Sequence, residues 1–173
     1  MMGVLCELSD EHITFVATDA HKLAKYRNTS IKTDDFASFI LPKKPITHLK
    51  GILPGYDEVV YVEYSTTSHH VAFSFANMML FSSLKEGRFP AYEAVIPTEN
   101  PNVFQVSRKE FLNSIRRVGI YSNQSTYQVR VTLSDELTKI TAEDLDFSNI
   151  AEENINGNFT GEAMEIGFNS KFL

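Results

Sequence analysis

Apolar and polar residues alternate from near the start of the chain, in Val4-Leu5-Cys6-Glu7-Leu8 and again in Ile13-Thr14-Phe15-Val16-Ala17-Thr18. A period of two predicts strands, and the polar Ser9-Asp10-Glu11 between them predicts a turn, so the segment reads as a β-hairpin. After a polar link, Phe39-Ile40-Leu41 predicts a short strand. The period then lengthens, with Ile46, Leu49, Ile52 and Leu53 recurring at helical spacing. Pro42 and Pro45 suit the first turn of that helix, where a missing N–H costs little, and Pro54 ends it. Val59 to Tyr64, Val71 to Phe75 and Met78 to Ser83 return to strand character. Ala76-Asn77 forms a tight turn between the last two, which predicts a three-stranded meander.

Gly87-Arg88-Phe89-Pro90 leads through Glu99-Asn100-Pro101-Asn102, the strongest linker composition in the chain. Beyond it the order restarts. Phe104-Gln105-Val106 predicts a strand, and Ser107 with Glu110 forms a capping box on a helix that turns Phe111, Leu112, Ile115 and Val118 inward. Tyr127 to Leu133 and Leu137 to Ala142 predict strands joined by Ser134-Asp135-Glu136. Met164 to Phe168 predicts another, and Asn169-Ser170-Lys171 a helix start.

Phe39 and Phe104, Leu41 and Val106, Lys44 and Lys109, and Ile46 and Phe111 are all 65 residues apart, which marks an internal repeat. A third start, Phe168-Asn169-Ser170-Lys171-Phe172-Leu173, resembles Val106 to Leu112 and stops within what would be the first helical turn. The expectation is a chain cut from a longer repeat protein.

The 173 residues suffice for one ordinary domain or two small ones, and 43% hydrophobic with 22% charged content suits a packed core. Cys6 is the single cysteine, so no internal disulfide forms and a thiolate metal cluster is excluded; it reads as a small buried apolar residue of a reducing compartment. No stretch reaches the length of a membrane span, and Met1 to Asp10 has no basic region followed by an apolar run. These features predict a cytoplasmic location and no membrane partner.

A net charge of −6 excludes a protein that coats nucleic acid with its whole surface, so placement of the cations decides the matter. Lys43 and Lys44 fall in the first turn of the first helix, and Arg108 and Lys109 in the first turn of the second. A cation there opposes the helix dipole by about 0.3 to 1 kcal/mol. Its recurrence at equivalent repeat positions suggests an external anion, and phosphate fits the free N–H groups of a helix start. Lys109, Asn113, Arg116 and Arg117 continue one polar face, while His48 and Lys50 extend the first helix's basic character. Two readings stay open: solvated helix faces, or basic fronts that meet phosphate.

Other candidate chemistry is thinner. Asp19 and His21 form a lone pair in a turn at a strand end, which reads as structural. His69-His70 lies in a predicted turn with no third ligand nearby, and Glu143, Asp144 and Asp146 read as a solvated acidic loop. No phosphate-binding glycine loop, nucleophile elbow or paired metal-ligand motif is present, so no metal, cofactor or catalytic residue is assigned.

Three stretches carry a family resemblance. They are Val16-Ala17-Thr18-Asp19-Ala20-His21-Lys22-Leu23-Ala24, Gly87-Arg88-Phe89-Pro90-Ala91-Tyr92-Glu93-Ala94-Val95-Ile96-Pro97, and Gly161-Glu162-Ala163-Met164-Glu165-Ile166-Gly167-Phe168-Asn169. In order and spacing the chain resembles the bacterial DNA polymerase III beta subunit, the DNA sliding clamp. The resemblance implies an α+β fold of DNA-clamp repeats, antiparallel sheets with one helix per unit of roughly 65 residues. It also implies that residues 1–97 are the second half of a middle domain and residues 98–173 the first half of a last domain.

The expected function is that of a non-catalytic processivity factor, a homodimeric ring when full length that encircles duplex DNA without reading sequence. On that resemblance Lys43, Lys44, His48, Arg108, Lys109, Arg116 and Arg117 face DNA. A cleft for short apolar peptides of the polymerase catalytic subunit, the clamp loader, repair polymerases and mismatch-repair proteins would draw on Thr18, Ala20, His21, Lys22, Leu23, Pro90, Ala94, Val95, Asn169 and Phe172. Leu23, Pro90, Val95 and Phe172 would form its apolar wall, and His21 and Asn169 its polar edge. Ala20 stands where the family often has glycine, Ala91 where it has aspartate, and Ala94 where it has a long basic residue. The competing expectation is a protein-interaction module of similar fold with no DNA role.

Overall fold

The structure, a computed structural model, describes residues 3–135 and 137–173, so Met1 and Glu136 of the predicted segments lie outside it. The chain divides into two units, one ending at Glu93 and the other Ala94–Leu173.

In the first unit, β1 (Gly3–Leu8) and β2 (Ile13–Thr18) pair antiparallel, Leu8 opposite Ile13 and Leu5 opposite Val16. Ser9 closes their turn, its hydroxyl donating to the His12 carbonyl at 2.9 Å and accepting from the His12 N–H at 3.1 Å. What the sequence presents as a polar link contains a strand, β3 (Leu23–Asn28), whose four central residues are all exposed. An edge strand with both faces in water has no apolar alternation to betray it. β4 (Ala37–Pro42) returns to pair with β1, giving the order β3-β2-β1-β4. A Cβ at Gly3 would stand 2.8 Å from the Leu41 carbonyl oxygen, so glycine permits this close pairing.

Helix α1 (Lys43–Ile52) follows directly, with Pro45 and Leu49 buried and Ile46 half-buried. Ile52, expected inside, is 38% exposed. The α-helix stops there and a 3-10 turn, Leu53–Gly55, takes over, so Leu53 packs on the core in its place. Strands β5 (Tyr61–Ser65), β6 (His70–Phe75) and β7 (Met78–Ser83) form the expected meander, although β5 starts two residues after Val59. Phe75 faces Met78 across the two-residue turn, where Ala76 has φ +48° as such hairpins require. Cys6, Phe39, Leu41, Leu49, Val71, Phe73 and Phe75 close one core. His70 belongs to β6, half-buried and stacked on Phe81, and only His69 sits exposed in the turn.

The second unit begins with β8 (Val103–Val106) and α2 (Arg108–Val118), and the Ser107 hydroxyl accepts from the Glu110 N–H as the sequence predicts. Ile115 and Val118 pack on Val129, Val131 and Leu133 of β9 (Gln128–Leu133) and on Ile140 and Ala142 of β10 (Thr138–Asp144). Two strands escape the sequence pattern, β11 (Asn149–Asn154) and β12 (Gly157–Thr160). β12 pairs with β8, and a side chain at Gly157 would collide with the Phe104 ring.

β13 (Met164–Asn169) pairs with β9 and completes the order β11-β10-β9-β13, the same meander with a returning fourth strand as in the first sheet. The predicted helix start at Asn169-Ser170-Lys171 is instead a turn, with the Phe172 N–H donating to the Asn169 carbonyl at 2.9 Å. The acidic loop is also reassigned. Glu143 and Asp144 end β10, and Asp144 is buried, accepting from the Asp146 N–H at 3.1 Å. Strand, helix and three strands thus occur once in each unit, as β4-α1-β5-β6-β7 and β8-α2-β9-β10-β11. This order is what the 65-residue spacing encodes.

Candidate nucleic-acid and partner interfaces

Lys43, Lys44 and His48 of α1 are exposed, as are Arg108, Lys109, Arg116 and Arg117 of α2. Burying Pro45 and Leu49, or Ile115 and Val118, turns the basic positions outward on each helix. The two helix starts differ. Pro42 gives α1 no side-chain cap, and no acid stands in its first turn, so its leading N–H groups have no such partner. In α2 Ser107 caps and Glu110 adds negative charge, which partly offsets Arg108 and Lys109.

Arg117 is engaged within its own unit. Its guanidinium donates through Nε to Glu153 at 3.0 Å and through a terminal nitrogen to the other oxygen of the same carboxylate. Arg117 holds the Glu153 carboxyl below the usual range, and Glu153 raises the guanidinium in turn. The sequence carries no signal for this pair, whose members lie 36 positions apart.

The residues expected in the peptide cleft fall in several segments of the two units. The turn between β2 and β3 is tightly hydrogen-bonded. The Asp19 carboxylate accepts from the Lys22 N–H at 2.9 Å and the His21 N–H at 3.1 Å, and the Lys22 bond leads in holding that carboxyl below its ordinary range. Thr18 donates its hydroxyl to the Lys22 carbonyl at 2.9 Å and accepts from the Ala20 N–H at 3.2 Å. Ala20 takes φ +75°, the left-handed conformation that favours glycine. Asp19 thus shapes a turn that leaves Ala20, His21 and Lys22 at the surface and Leu23 half-buried.

Pro90 is exposed between two buried aromatics, Phe89 and Tyr92, in the closing segment of the first unit. Tyr92 donates its hydroxyl to Glu7 at 2.7 Å; burial, then that carboxylate, pushes its pKa up.

In the second unit Ala94 is exposed and Val95 is 70% exposed. The Asn169 amide nitrogen donates to the Thr126 carbonyl at 3.0 Å and its oxygen accepts from the Lys171 N–H at 2.9 Å, so both polar atoms close the terminal turn. Phe172 is 41% exposed.

Fold and surface define a repeat protein of strand–helix units with basic helix faces. The chain belongs to the DNA polymerase III beta subunit family: residues 1–91 match the family's central domain and residues 93–173 its C-terminal domain. It is 31% identical to the beta sliding clamp of Halalkalibacterium halodurans, over 99% of this chain and 46% of that protein. A DNA polymerase sliding clamp from Pseudomonas aeruginosa superimposes with a TM-score of 0.90 at 30% identity, over 98% of this chain and 46% of the other. The same organism's clamp bound to griselimycin gives 0.89 at 30% identity, with 98% and 45% covered. The fold is the α+β clamp fold of these relatives, and the chain spans about half their length.

Proposed function

We propose that this chain acts as part of a DNA sliding clamp, the non-catalytic processivity factor of a replicative polymerase, in the cytoplasm. The match to both the central and the C-terminal clamp domains carries the proposal. Residues 1–97 supply the second half of the middle domain and residues 98–173 the first half of the last. In the full-length ring, a head-to-tail homodimer, Lys43, Lys44, His48, Arg108, Lys109 and Arg116 meet phosphates of duplex DNA without reading bases. Arg117 contributes least, because Glu153 already occupies its guanidinium.

Thr18, Ala20, His21, Lys22, Leu23, Pro90, Ala94, Val95, Asn169 and Phe172 form the docking cleft. It receives short apolar peptides of the polymerase catalytic subunit, the clamp loader, repair polymerases and mismatch-repair proteins, and the griselimycin class of ligand. A few apolar anchors supply most of such affinity, since ordering a peptide costs roughly 0.5 to 1.5 kcal/mol per flexible side chain.

The test is the salt dependence of duplex DNA association by the full-length protein. Lys44→Ala with Lys109→Ala lowers the slope of log K against log salt by about 0.9 per lost phosphate contact, whereas Arg117→Ala changes it little. Slopes unaltered by the lysine pair would leave the basic fronts as solvated surface and favour a protein-interaction module.

A further inference from the structure

Four residues facing one way on the first sheet form a polar row, because Arg27, Thr14, Glu7 and Ser38 are neighbours across β3, β2, β1 and β4. The segment Gly87–Glu93 runs over a cavity of about 720 Å³ that these residues help to line. The Thr14 hydroxyl, on the wall of this cavity, is buried without a hydrogen-bond partner among the described residues.

Backbone attachment of this segment ends early. The Leu84 N–H donates to the His69 carbonyl at 2.7 Å and the Lys85 N–H to the Ile40 carbonyl at 2.9 Å. Past Gly87, at φ +114°, the next such bond among the described residues runs inside the segment, from the Tyr92 N–H to the Pro90 carbonyl. Side chains must therefore hold it down.

Three contacts do so. Tyr92 donates to Glu7 at 2.7 Å, Lys25 meets Glu93 at 3.3 Å, and the Lys25 ammonium lies 5.0 Å from the centre of the Tyr92 ring. The first is a hydrogen bond to a carboxylate in a half-buried setting, the strongest class available to a neutral donor. The Lys25 contacts tie the segment to β3, the strand that begins at Leu23.

We infer that Glu7, Lys25 and Tyr92 form a latch that holds the Gly87–Glu93 segment on the first sheet and so positions Pro90 for the docking cleft. The positioning half of this inference rests on the clamp function proposed above. These three are positioning residues: they act on a ligand only through Pro90 and its neighbours.

Trypsin cleavage of the native chain after Arg88, mapped by mass spectrometry, reads the latch without any ligand. Tyr92→Phe keeps the ring but deletes the donor and is expected to speed that cleavage roughly tenfold, in line with a lost hydrogen bond to a charged group. Glu7→Gln keeps an acceptor but loses its charge and is expected to fall between the parent and Tyr92→Phe. A merely structural loss in the first unit would raise cleavage after Arg27 by the same factor. Tyr92→Phe cleaved after Arg88 at the parent rate overturns the latch.

Griselimycin titration of the same variants then reads positioning. Affinity should fall most in Tyr92→Phe and less in Glu7→Gln, and parent affinity in both overturns the role assigned to Pro90. A parent chain that binds no griselimycin counts against the clamp proposal alone, while the cleavage ratio still decides the latch.

Discussion

Cys6 stands on β1 opposite Phe15 and Phe39, in the core of the first unit. Burial, with a smaller contribution from neighbouring Glu7, pushes its thiol up to about 12 from an ordinary 9.0. The folded value lies above the unfolded one, so the neutral thiol's contribution to stability is complete below about pH 9. It is lost progressively as pH rises from there through 12. Native protein at pH 8 should therefore leave an aromatic disulfide reagent unreacted until denaturant unfolds it, and denaturation midpoints should decline above pH 9. Stoichiometric labelling of the native protein within the mixing time would show the thiol to be accessible.

The burial of Cys6 was legible because it sits in an alternating apolar run. The bond from Tyr92 to Glu7 was not, since its partners are 85 positions apart and each alone reads as an ordinary amphipathic residue. Asp144 was hidden for a related reason: its buried site is made by the turn that follows it, which the acidic composition does not reveal.

At the scale of elements, a segment with one wet and one dry face is the easiest to find in the sequence. α2 is the clearest case, with a capping serine, four apolar residues at helical spacing and a basic front. Replacing Ser107 with alanine should lower the stability of the second unit by about 1 kcal/mol, measured as a shift in the denaturant midpoint with unchanged slope. A midpoint within error of the parent would mean that water satisfies the Glu110 N–H equally well.

The strands β3, β11 and β12 went unread. β3 and β11 are the outermost strands of their four-stranded sheets, and their sequences Leu-Ala-Lys-Tyr-Arg-Asn and Asn-Ile-Ala-Glu-Glu-Asn carry the polar load that protects an exposed edge from pairing with other chains. β12 is four residues long and exists because β8 offers it a partner. Ile52 misled in the opposite direction, since periodicity assumes that a helix continues and this one changes to a 3-10 turn at the next residue.

At the scale of the whole chain, the 65-residue spacing announced repetition, and the shared order of strand, helix and meander accounts for it. The candidate site was less legible. The basic helix fronts followed from periodicity and charge, whereas the docking positions came only from likeness to a family. Within that family's pattern, the commitment of Asn169 to Thr126 and Lys171 depends on three-dimensional neighbours that no motif spells out.

The returning fourth strand has a kinetic consequence. Paired residues of β1 and β2 are 5 to 11 positions apart, and so are those of β9 and β10. Closing each sheet instead joins residues 29 to 39 apart for β1 with β4, and 31 to 41 apart for β9 with β13. Hairpins of the first kind form in about 1 to 10 μs, while non-local pairing must first bear the entropy of a larger loop. Refolding should therefore pass through two independent meanders that gain amide protection before their closing strands do, as pulsed hydrogen exchange can resolve. Simultaneous protection of β2 with β4, and of β10 with β13, would show instead that each sheet condenses in one step. Until those late strands dock, β1 and β9 each expose an open edge, and it is in that interval that a newly made chain is most vulnerable to pairing with the wrong neighbour.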